Sequence, residues 1–167
     1  MKRQLPERKR LYHDTPSWVE KGSTFFITVN CRERGENTLC HVDVADMVFD
    51  SVEFRMRFGD WYPTLFLLMP DHCHGLIAFP PNKRMQSVVE NWKRYLARNH
   101  GLSWQISFFD HRIRSGCELN LKADYIRNNP VRAGLVDRPE AWPFVWTLSG
   151  QQEGREAPPA VPRGLTR

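Results

Sequence analysis

His72-Cys73-His74 puts two imidazoles two residues apart, just after Met69-Pro70-Asp71 and at the start of Gly75-Leu76-Ile77-Ala78-Phe79. Pro and Asp mark a turn and the residues that follow read as extended. Alternate residues of a strand share a face, so both imidazoles project one way, about 6–7 Å apart at the backbone, and can hold one divalent ion between them. Cys73 faces the layer behind and acts as a small hydrophobe. The second reactive element is Tyr125, four residues before Asn129 in a segment rich in helix formers. That spacing sets a phenol and a carboxamide on one helical face, a nucleophile beside a third oxygen ligand. Each element also has a plain reading: a chance pair of histidines on a half-exposed strand, and a core tyrosine followed by a helix end.

The surrounding pattern supplies the elements that would position these groups. Residues 24–30 are β-branched and aromatic, a strand. Residues 42–57 carry Val44, Met47, Val48 and Val52 at helical spacing. A nearly continuous apolar run, 61–69, is a buried strand that Pro70-Asp71 turns into a strand over 72–79. Met85, Val88, Val89, Trp92 and Leu96 form the apolar stripe of a second helix. A short fourth strand is expected over 105–109, and then the tyrosine helix, which Pro130 should end near Asn128 or Asn129. The order β-α-β-β-α-β-α predicts an α+β fold, a split β-α-β (ferredoxin-like) antiparallel sheet with helices on one face and a C-terminal tyrosine-bearing helix. Residues 1–21 read as a basic arm, 22–148 as the folded domain and 149–167 as a disordered Pro-rich tail. Trp142-Pro-Phe-Val-Trp146 reads as a cap on the core rather than a base-stacking platform.

The chain has 167 residues, with 24 Lys and Arg against 19 Asp and Glu, a net charge of +5. One domain of that length can bury a sizeable core. Basic residues crowd the N-terminus, the second helix (Lys93, Arg94) and the neighbourhood of Tyr125 (Arg112, Arg114, Lys122, Arg127, Arg132). Basic residues that bracket a phosphoryl-transfer site point to nucleic acid. The four cysteines, 31, 40, 73 and 117, form no C-x-x-C pair, which argues against a zinc knuckle or a disulfide framework. With no signal peptide and no long apolar run, the expectation is a cytoplasmic, nucleoid-associated protein with no membrane partner.

Three stretches together resemble the HUH single-tyrosine transposases, and most closely the REP-associated tyrosine transposases. They are Met69-Pro-Asp-His-Cys-His-Gly-Leu-Ile, Asp110-His-Arg-Ile-Arg, and Tyr125-Ile-Arg-Asn-Asn-Pro-Val-Arg-Ala-Gly-Leu-Val. With the opening strand the resemblance spans residues 20–146, and the tyrosine block is its most specific part. Cys73 departs from the family, which usually has a bulkier aliphatic residue there. The resemblance implies a single-strand DNA endonuclease and strand transferase that acts at hairpin-forming sequences through a 5′-phosphotyrosine. Tyr125 would be the nucleophile; His72, His74 and Asn129 would hold Mg²⁺ or Mn²⁺. Arg112, Arg114, Arg127, Arg132, Lys93 and Arg94 are the candidate DNA contacts, with the chain a monomer or a homodimer. Asp110 and His111 would orient a metal ligand or simply end the fourth strand. Two other readings stay open: a hairpin-binding protein on the same fold that does not cleave, and a hydrolytic metalloenzyme with Asp71 as its base.

Overall fold

The structure, a computed structural model, describes residues 23–149. The expected arm over 1–21 and nearly all of the expected tail lie outside the described residues. The chain runs β1 (Thr24–Asn30), α1 (Val42–Arg57), β2 (Tyr62–Met69), β3 (His72–Ala78), α2 (Met85–His100), β4 (Phe109–Arg112), α3 (Gly116–Arg132), a 3₁₀ turn (Pro139–Ala141) and β5 (Val145–Thr147). The strands form one antiparallel sheet in the order β4-β1-β3-β2-β5. Its first four strands have the split β-α-β arrangement expected from the alternation of elements.

Register decides which residues share a face. Val29 pairs with Cys73, Ile27 with Gly75 and Phe25 with Ile77, while Thr28 pairs with His74 and Asn30 with His72. Cross-strand partners point the same way. The first set therefore meets Trp61, Phe66, Val89 and Trp92 under α1 and α2. On that side Trp61 donates its indole N–H to the Val52 carbonyl of α1, and the Trp92 indole of α2 donates to Ser51 Oγ. The second set faces α3. Gly75 is required by close approach: a Cβ there would lie 2.9 Å from Ile77 Cδ1 and 3.1 Å from Phe66 Cδ2.

Four features differ from the sequence reading. The fourth strand lies over Phe109–Arg112, not 105–109. The carbonyls of Gln105 and Ile106 are taken by the Lys93 ammonium at 2.6 and 2.9 Å, which pins the segment as a loop and leaves Ile106 84% exposed. Helix α3 runs through Pro130 to Arg132. Pro130 forfeits one backbone hydrogen bond, but it is buried, and packing outweighs the loss. The helix stops at Gly134, left-handed at φ 70°, where Gly134 N–H donates to the Val131 carbonyl and Leu135 N–H to that of Pro130. A fifth strand, Val145–Thr147, pairs with β2. The aromatic cap is as expected: Trp142, Phe144 and Trp146 are buried, and the Trp142 indole donates to the Leu68 carbonyl. Last, the helices cover both faces, α1 and α2 one and α3 the other.

Candidate active site

The turn that presents the histidines is held from outside the hairpin. Pro70 and Asp71 join β2 to β3, and their carbonyls accept N–H bonds from Cys31, Thr38 and Leu39. His72 and His74 then stand on the same face, ring centroids 4.8 Å apart and nearly perpendicular at 81°. Cys73 points into the opposite layer, where burial pushes its thiol well above the usual range and leaves it an inert apolar group.

Each imidazole has one nitrogen held and the other free. Asp71 Oδ1 lies 2.7 Å from His72 Nδ1. A carboxylate only accepts, so Nδ1 donates to it and Nε2 is the nitrogen left for another partner. Asp71 is itself fixed by the Gly35 N–H at 2.8 Å and by Arg34 at 3.3 Å. Burial would raise its carboxyl, but the bonds from His72 and Gly35 and the Arg34 charge outweigh it and hold the group below its usual value. His74 Nδ1 is 2.8 Å from Thr28 Oγ1, while its Nε2 is buried with no hydrogen-bond partner among the described residues. Burial, helped by His72 and Arg34, lowers the His74 pKa to about 3, so the ring is neutral at physiological pH. Two imidazoles, each anchored at Nδ1 and with Nε2 unpaired among the described residues, fit the donor set of a divalent transition metal. Among the described residues no three of His, Cys, Asp and Glu come together as ligands.

Helix α3 is set over this face by three devices. At its start Ser115 Oγ accepts the Glu118 N–H, and the Glu118 carboxylate accepts the Arg114 N–H and lies 2.7 Å from His111 Nε2 of β4. Along its length Leu119, Ala123, fully buried Ile126 and Pro130 form the apolar stripe. At its end is the Gly134 stop. The adjacent stripe carries Lys122, Tyr125, Asn129 and Arg132. Tyr125 lies 6.1 Å from His74, centroid to centroid, and remains 39% exposed. Phe26 links the two, stacked on His74 at 5.4 Å and edge-on to Tyr125 at 5.9 Å. Asn129 lies one turn beyond Tyr125 and donates Nδ2 to the Tyr125 carbonyl, leaving Oδ1 unbonded among the described residues.

The structure thus brings His72, His74 and Tyr125 together, with Asn129 on the same helical stripe as Tyr125. It separates several other candidates. Lys93 is buried, its amine spent on two loop carbonyls and its pKa lowered by burial; it is a structural lysine rather than a DNA contact. Arg94 is on α2, in the layer away from Tyr125, and bonds Asn91. Arg112 stands opposite Phe25, again on the far face, and donates to Ser23 Oγ at 3.3 Å. Arg114 and Arg127 are exposed. His111 ties β4 to α3 rather than orienting a metal ligand, and Asp71, bound to His72, is an anchor rather than the free base that a hydrolase would need. The sequence reading missed Thr28 and Phe26. Their alternation along β1 was visible, but the pairing that sets them beside His74 and Tyr125 was not.

The chain is similar to known proteins over most of its length. It is 29% identical to the REP-associated tyrosine transposase of Escherichia coli (strain K12), over 74% of this chain and 76% of that one. A Haemophilus influenzae protein provisionally given the same name is 26% identical over 74% of this chain and 79% of its own. A solved structure of a REP-associated tyrosine transposase bound to a REP hairpin superposes with a TM-score of 0.69 and 28% identity, covering 84% of this chain and 82% of that one. No family model matches. Among the described residues no helix is long and apolar enough to cross a membrane.

Proposed function

We propose that the chain, similar to the REP-associated tyrosine transposases, cuts and rejoins single-stranded DNA at hairpin-forming sequences through Tyr125. The observation that carries the reading is the buried Nε2 of His74, without a partner among the described residues, on a ring 6.1 Å from a solvent-accessible tyrosine. A structural histidine would satisfy both nitrogens. The hairpin carried by the similar solved structure supports the choice of substrate.

Tyr125 Oη attacks the phosphorus, the Oη–P bond forms, and the P–O3′ bond breaks. The phenolic proton leaves to water and the 3′-oxygen takes one back. The phosphotyrosine retains an ester bond, so a second 3′-hydroxyl can reverse the step and join new strands without a nucleotide cofactor. His72 and His74, with the Asn129 oxygen, would hold Mg²⁺ or Mn²⁺; when bound, such an ion supplies positive charge to the non-bridging oxygens of the scissile phosphate. Asp71 and Thr28 fix the two rings through Nδ1 and leave Nε2 of each for the ion. Nitrogen donors suit Mn²⁺ at least as well as Mg²⁺. Arg127 and Arg132, exposed on the tyrosine helix, and Arg114 just before it are left as the cations best placed for backbone phosphates.

The test uses labelled hairpin oligonucleotides from the intergenic DNA that flanks the gene, as single strands and as perfect duplexes, with Mn²⁺. The wild type should cut the single strands and spare the duplexes, since unpaired bases are needed at the site. His72→Ala and His74→Ala should lose cleavage yet keep hairpin binding, which rests on phosphate contacts and shape. Full cleavage by either variant would remove the metal assignment. Binding by the wild type with no cutting would favour the non-cleaving alternative.

A further inference from the structure

We infer that Lys122 is a second catalytic group of this site, its ammonium held over the rings of Phe26 and Tyr125 to meet the phosphate that Tyr125 attacks. The inference rests on the reading of Tyr125 as nucleophile and adds a residue which neither the motif nor the resemblance assigns.

Lys122 Nζ lies 5.1 Å from the Phe26 ring centroid and 5.7 Å from that of Tyr125. Arg132 Cζ lies 5.2 Å from the Tyr125 centroid. Two cations therefore bracket one ring. Neither forms a salt bridge with a carboxylate among the described residues. The acidic group one turn before Lys122, Glu118, is occupied by His111 and the Arg114 N–H. Spacing of three and seven residues from Tyr125 keeps both cations on its stripe of α3.

An ordinary exposed lysine points into water and finds a carboxylate by chance or not at all. Lys122 is half-buried and packs its chain against aromatic faces instead. Contact with an aromatic face contributes only modestly at a wet surface. It does fix the direction of the ammonium without neutralising it. The result is a preorganised positive pair flanking a nucleophile, with the His74 ring 6.1 Å from the same tyrosine. An anion that enters to reach Tyr125 meets that charge, and its phosphoryl oxygens gain most as negative charge builds in the transition state. Lys122 stabilises charge and transfers nothing. Arg132, at the far end of the stripe, suits the neighbouring phosphate by the fork of its guanidinium.

The experiment measures single-turnover formation of the covalent adduct by the full chain at saturating single-stranded hairpin oligonucleotide and Mn²⁺. Wild type, Lys122→Gln and Lys122→Arg are compared, with thermal melting and hairpin affinity measured alongside. The inference predicts that Lys122→Gln slows adduct formation on the order of 100-fold, with melting temperature and affinity near wild type, and that Lys122→Arg restores most of the rate. Adduct formation by Lys122→Gln at the wild-type rate would overturn the role of Lys122 alone. Equal slowing by both variants, together with lowered melting temperatures, would make the lysine a packing residue. A wild type that forms no adduct at Tyr125 would overturn the nucleophile reading, and this inference with it.

Discussion

Ile27, Val29, Cys73, Gly75 and Ile77 close one face of the sheet against Trp61, Val89 and Trp92, while the residues between them, Phe26, Thr28, His72 and His74, face α3. The same strands build both surfaces by alternation alone. The α1/α2 face is dry; the Trp61 and Trp92 indoles are paired there, and the Trp104 indole N–H packed beside Trp92 is buried without a partner among the described residues. The α3 face is covered only in part and buries an imidazole nitrogen, His74 Nε2, that no described residue satisfies, beside a tyrosine that stays exposed. Burial stabilises the fold on the first face; on the second it keeps His74 uncharged beside an open tyrosine. One face specifies the structure and the other spends some of that stability on a site.

The contrast can be broken most severely on the dry face. Trp92→Ala removes a fully buried ring that packs on Trp61, Phe66 and Trp104 and deprives Ser51 of its donor. A stability loss of about 3–5 kcal/mol is expected, measured by urea denaturation. A loss below about 1 kcal/mol would contradict the assignment of the main core to that side.

Acid sharpens the comparison from the other face. The folded-state pKa of His74, about 3, lies below its ordinary value of 6.5. Between those values the unfolded chain binds a proton that the folded chain refuses. Stability is therefore lost as pH falls through that window, by at most roughly 1.4 kcal/mol per pH unit. Above pH 6.5 the group contributes no slope. Melts of metal-free wild type and His74→Gln between pH 7 and pH 4 should show a shallower acid dependence in the variant. Parallel curves would mean that His74 titrates normally in the fold.

The smallest effect is expected where the layers meet. Cys73→Val should change stability by no more than about 1.5 kcal/mol and leave cleavage intact, because the side chain lies in the dry layer. A variant that folds but no longer cuts would place residue 73 in the reactive layer.

Local patterns were legible where local physics decides them. The β1 strand, α1 over 42–57, the Pro70-Asp71 turn and the outward pairing of His72 with His74 all follow from periodicity and turn chemistry. Long-range facts were not. Thr28 becomes the partner of His74 only through the β1–β3 register. Lys93 reads as one basic residue among many, yet the loop over 105–106 curls back to take its proton donors. Pro130 is a stop signal by propensity, overridden by burial until Gly134 ends the helix. Lys122 and Arg132 were visible as nearby charges, but their contact with the Tyr125 ring depends on rotamers that no spacing reveals.

The central claim is that Tyr125 joins covalently to DNA. The direct measurement is denaturing electrophoresis of wild type and Tyr125→Phe after incubation with the flanking-DNA hairpins and Mn²⁺, with the modified peptide mapped by mass spectrometry. The wild type should yield a denaturant-resistant adduct carrying a 5′-phosphate on Tyr125, and the Phe variant should remain folded, bind the hairpin and form none. An adduct on another residue, or normal cleavage by Tyr125→Phe, would contradict the account.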